Sequence, residues 1–70
     1  MTSIEMVGDV AGKVWHYLHE YGRSSVTAVE NGVGAPRAVV DMGLGWLARE
    51  GKVELAQEGR SIVIWLTEEV

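Results

Sequence analysis

Seventy residues without a cysteine, carrying a formal charge of −4, fit one small domain and exclude disulfides and thiolate metal sites. Ten acids against six bases is the reverse of the usual balance in chains that grip nucleic acid through phosphates. No apolar run approaches the roughly 18 residues of a membrane span. The N-terminus also lacks the basic start and apolar stretch of a signal peptide, so the expected compartment is the cytoplasm.

Ile4, Val7, Ala11, Val14, Trp15 and Leu18 recur at helical spacing, with Glu5, Asp9, Lys13, His16 and Glu20 on the opposite side. Thr2 and Glu5 suit a capping box, Asp9 can pair with Lys13 one turn on, and Gly22 ends this first helix. Ser24 or Ser25 can cap a short second helix whose apolar stripe is Val26 and Val29, stopped by Asn31-Gly32. A glycine-rich turn leads to Pro36, which suits the first position of a third helix running to about Glu50, with Gly51 as its stop. On a helical wheel Val39, Val40, Gly43, Leu44, Trp46 and Leu47 face inward. Arg37, Ala38, Asp41, Gly45, Ala48 and Arg49 face outward, with Met42 at the margin. Gly43 and Gly45 each lower helix propensity by about 1 kcal/mol; a close helix crossing would account for Gly43.

After Gly51 the period changes to two. Lys52 to Ala56 alternates as a half-buried strand, Glu58-Gly59 offers a hairpin turn, and Ser61 to Thr67 is the return strand. Ile62, Ile64 and Leu66 are expected inward beside Val53 and Leu55, which leaves Val63 and Trp65 outward. The predicted fold class is therefore α+β: three helices followed by a two-stranded β-hairpin wing, over residues 1–70 as a single domain. With a core this small, net stability should be only about 3–5 kcal/mol. The 47% hydrophobic share is generous for a chain that buries about 60% of its unfolded surface, so some apolar surface should stay exposed.

The stretch from Leu44 to Val53, together with Ala11-Gly12-Lys13-Val14-Trp15, resembles the third-helix-to-wing junction and the first helix of short stand-alone winged helix-turn-helix proteins of uncharacterised function. The resemblance implies the fold and a DNA-binding ancestry, and no established activity. One departure lies in the glycine-rich turn, where Ala35 stands at a position expected to hold a Ser or Asp cap.

Two readings of function follow. In a winged helix the third helix enters the major groove and the wing touches the backbone or minor groove. Arg37 and Arg49 on the third helix, with Lys52 and Arg60 on the wing, would then contact double-stranded DNA. About four cations is few beside the roughly 6–10 phosphate contacts of a strong binder. The second reading is a protein-interaction or homodimerisation module without DNA binding. It uses Trp65 and Val63 on the last strand and the small outer face of Ala38, Gly45 and Ala48, with Met1 and Ile4 as alternative cover for Trp65. His16 and His19 read as a solvated pair rather than metal ligands, and Trp15 and Trp46 as core. Gly8 and Gly12 would let helices approach closely. No serine carries a nucleophile motif and the acids do not cluster with the histidines, so neither enzymatic activity nor a cofactor is expected.

Overall fold

A computed structural model describes residues 2–67, and Met1 lies outside them. The element order is α1 (Ile4–Tyr21), β1 (Ser24–Ser25), α2 (Val26–Val33), α3 (Arg37–Arg49), β2 (Val53–Glu58) and β3 (Ser61–Leu66). The helices and the hairpin stand where the periodicity places them. The sheet has three strands rather than two, in the order β1-β3-β2.

The third strand is the pair Ser24–Ser25, antiparallel to β3 with Ser24 opposite Ile64 and Ser25 opposite Val63. Two polar residues have no readable period, so this strand is invisible to pattern analysis. Ser25 serves twice. Its backbone joins the sheet, and its Oγ accepts a hydrogen bond from the Ala28 N–H at 3.0 Å, capping α2.

Helix boundaries differ from expectation in three places. Ser3, not Thr2, caps α1: it is extended, and its Oγ accepts from the Met6 N–H at 3.1 Å. Methionine at that position has no acceptor to return, so the reciprocal box does not form. α2 continues through Asn31-Gly32 to Val33 and ends at Gly34 in the left-handed conformation. A Cβ at Gly32 would run into the Tyr17 ring, so close packing on α1 offsets the glycine's cost inside a helix. Pro36 caps α3 instead of opening it, and no side chain closes that end.

One core joins the helices to the sheet. Val14, Val29, Val40 and Ile64 are its fully buried members, supported by Val10, Ala11, Leu18, Val39, Leu47 and Val53. α1 crosses α3 at Gly43, where a Cβ would stand 3.1 Å from the Ala11 nitrogen and 3.2 Å from its Cα. The expected close crossing is therefore present. Gly8 accepts the edge of the Trp46 ring in ordinary contact, and Gly12 has open space above it.

The hairpin closes through Glu58 opposite Ser61, with Gly59 at φ 62° in the two-residue turn. Of the residues expected inward, Ile64 and Val53 are buried and Leu66 is half-buried against the core. Leu55 and Ile62 are 52% and 42% exposed. They share the inner face by alternation, but neither is fully covered. Among the described residues no helix is long and apolar enough to cross a membrane.

Candidate nucleic-acid interface

α3 and the hairpin hold the four cations singled out from the sequence, in two different states. Arg37, in the first turn of α3, is exposed, yet its Nε lies 3.5 Å from Glu30 Oε1 on α2. Lys52, at the foot of β2, has its Nζ 3.6 Å from Glu50 Oε1. Arg49, in the last turn of α3, and Arg60, in the hairpin turn, make no ion pair among the described residues. The cations with free charge thus sit at the far end of α3 and at the tip of the wing. The expected Asp9–Lys13 pair is not made, and Lys13 on α1 has no ion-pair partner among the described residues.

The near end of α3 is acidic. Asp41, one turn into the helix, meets Glu30 across the α2–α3 angle, and the Glu30 side chain is only 11% exposed. The hydrogen bond to Asp41 holds the Glu30 carboxyl above its ordinary value of 4.5; burial and repulsion from Asp41 push the same way, and Arg37 pulls back. The folded protein therefore binds more protons than the unfolded chain just above that ordinary value, and stability falls as pH rises through the folded Glu30 pKa. Replacing Asp41 with Asn should bring Glu30 down toward the ordinary value and flatten stability across that window. Carbon-detected NMR titration of Glu30 is the check, and an unmoved midpoint would exclude Asp41 as the cause.

The opposite surface of the sheet carries Trp65 and Val63, both half-buried. The guanidinium carbon of Arg23 lies over the Trp65 ring, 4.8 Å from its centroid, and Arg23 Nη2 also donates to Glu58 Oε2. Arg23 is thus the cover of Trp65. Ile4 is not: it is 74% exposed, and Met1 lies outside the described residues. The small outer face of α3 is as expected, with Ala38, Gly45 and Ala48 exposed. Trp15 is half-buried between the two histidines, stacked on His19 at 5.0 Å and edge-on to His16 at 5.3 Å. An open groove of about 770 Å³ runs from Gly8 and Gly12 past Trp15 and Trp46 to Lys52.

With helices, wing and cations placed, comparison with known proteins decides the family. The profile described as winged helix-turn-helix domain (DUF2582) matches residues 1–66. The chain belongs to that family. A relative in Methanocaldococcus jannaschii, the uncharacterised protein MJ1608, is 36% identical over 63 residues, which span 86% of this chain and 89% of the relative. The solution structure of protein BT2368 from Bacteroides thetaiotaomicron is similar at a TM-score of 0.79 with 35% identity, over 89% of this chain and 76% of that one. The Zalpha domain of PKZ from Carassius auratus, crystallised with Z-DNA, shares the fold at a TM-score of 0.74 with 20% identity, over 87% of this chain and 97% of that domain.

Within this winged-helix frame, pattern reading found the cations and missed their partners. Glu30 carries no distinguishing mark in the sequence; only the α2–α3 angle brings it to Arg37 and Asp41. Arg23 follows Gly22 in what reads as a loop, and its place over Trp65 depends on the two-residue strand after it.

Proposed function

We propose that this domain binds duplex DNA through phosphates, with Arg49 at the end of α3 and Arg60 in the wing turn as its main contacts. Lys52 is a supporting contact, and Arg37 a weaker one because Glu30 holds it. The observation that carries this reading is the position of the two unpaired arginines. They lie on the two elements that winged helices turn toward DNA, and neither has a carboxylate within ion-pairing distance among the described residues. The fold shared with a Z-DNA-bound domain supports the class of ligand and names no sequence. The outer face of α3 offers few groups that read base edges, so binding should be weak and largely insensitive to sequence.

The test is fluorescence anisotropy with random-sequence duplex DNA at low and near-physiological salt. Binding should be measurable at low salt and fall steeply with added salt. The Arg49→Ala, Arg60→Ala double variant should lower the salt slope by about 1.8, since each lost phosphate contact removes about 0.9. Arg37→Ala should change it less. Absence of binding at low salt, or a double variant that binds as the parent does, would overturn this reading. The first outcome would favour an interaction module without DNA binding. The acidic pair at the near end of α3, beside the small face of Ala38, Gly45 and Ala48, is the feature that favours that second reading.

A further inference from the structure

We propose that β2 pairs with β2 of a second copy of this chain. The two strands run antiparallel about a two-fold axis at Leu55 and join two three-stranded sheets into one of six. The order β1-β3-β2 leaves β2 with a neighbour on one side only. The Thr67 N–H donates to the Lys52 carbonyl, and Glu58 pairs with Ser61 across the two-residue turn. Even-numbered residues of β2 therefore spend their backbone groups on β3. The N–H and C=O groups of Val53, Leu55 and Gln57 point to the open edge.

That edge has charges on its outer face, Lys52, Glu54 and Glu58, and lacks the other usual protections. The pairing with β3 is continuous over six residues, with no bulge. The strand holds no proline, and its inner-face residues, Val53, Leu55 and Gln57, are uncharged. Leu55 is 52% exposed at the centre of the strand, and Ile62 on β3 is 42% exposed beside it.

The sequence of the strand is complementary to itself in one register. With Leu55 opposite Leu55 of the second copy, Lys52 meets Glu58, Val53 meets Gln57 and Glu54 meets Ala56. Two opposite-charge pairs form, and no like charges face each other. Sliding either strand by two residues, the smallest step that keeps the open-edge groups aligned, opposes Glu54 to Glu54 in one direction and Glu54 to Glu58 in the other. The favoured register also extends an apolar row across the joined sheet, because Leu55 is opposite Ile64 within each copy. The leucines would each cover the other's exposed side.

The chain has no cysteine, so a single introduced thiol reports the register. In a hydrogen-bonded antiparallel pair the Cα atoms stand about 5.5 Å apart, inside the range a disulfide spans. Leu55→Cys should oxidise to a covalent dimer at least about tenfold faster than Gln57→Cys, because pairing makes the second thiol a fixed neighbour. In the proposed register two residues at position 57 lie four positions apart along the strands, about 14 Å, which no disulfide reaches. Sedimentation equilibrium of the unaltered protein should show a mass rising toward twice 7.6 kDa with concentration. Lys52→Glu should weaken the dimer, and adding Glu58→Lys should restore it. A monomer at every concentration, or equal cross-linking of the two cysteine variants, would overturn the proposal.

Discussion

Ile64→Ala should leave the protein only marginally stable at 25 °C. Ile64 is fully buried, sits on the central strand of the sheet, and faces Ser24 on one side and Leu55 on the other. Removing three carbons from such a site costs about 2–5 kcal/mol, through lost burial and the cavity left behind. A domain of this size holds about 3–5 kcal/mol in total, so one substitution consumes most of it. Urea unfolding followed by far-ultraviolet circular dichroism is the measurement. Ile64→Val, which removes one methylene, should lose only about 0.5–1.5 kcal/mol and keep a cooperative transition. If the alanine variant unfolds with nearly the parent's midpoint, the core is not centred on β3.

The two glycines of α3 should respond to alanine with opposite signs. At Gly43 a new Cβ meets backbone atoms of Ala11 at 3.1 and 3.2 Å, and backbone cannot swing aside as a flexible side chain can. α1 and α3 must move apart, a strain of about 1–3 kcal/mol that the gain in helix propensity of about 1 kcal/mol only partly offsets. Gly43→Ala should therefore lower stability, by up to about 2 kcal/mol after that offset. At Gly45 nothing lies within 4 Å of the added carbon, so only the propensity gain remains, and Gly45→Ala should raise stability by up to about 1 kcal/mol. Melting temperatures of the two variants would separate by several degrees, in a domain where about 1 kcal/mol is worth 4–8 °C. Equal shifts would mean the helix crossing tolerates a side chain. The Gly45 variant has a second use: it adds bulk to the outer face of α3 without touching the core, so any loss of DNA affinity would come from the contact surface itself.

What could be read from the sequence was what repeats. The 3.6-residue spacing from Val7 to Leu18 and from Val39 to Leu47, and the alternation after Lys52, follow from burying one face of an element, which leaves a periodic trace; Ile4 shares that spacing and stays exposed. Gly43 was legible for the same reason: a glycine on the inner side of a helix has few uses besides close approach. Features that depend on two distant segments meeting left no trace. Ser24 and Ser25 form a strand only because β3 lies beside them, and Glu30 and Asp41 meet only because α2 and α3 pack at an angle. The exposure of Leu55 and Ile62 was missed because alternation tells which face a residue takes and not whether anything covers it.

For the candidate site the limit was sharper. Residue type located the cations, but counting them gave four contacts where ion pairing among the described residues separates two unengaged arginines from two engaged side chains. Net charge is a coarse measure in the same way. An excess of acids is a sum over the whole surface, whereas a phosphate responds to the few charges within a Debye length of about 8–10 Å.

Ser25 ties the order of assembly to the shape of the chain. Its hydroxyl can seal α2 while the strand it belongs to waits for Val63, nearly forty residues downstream. Among the described elements the sheet's middle strand follows all the others in the chain, so until β3 arrives both outer strands lack their partner and the core lacks Ile64. On the ribosome the helices would form a loose, exposed bundle that gains its native packing in one late step. Slowing translation upstream of β3 would prolong that vulnerable interval and give proteases a longer opportunity to act.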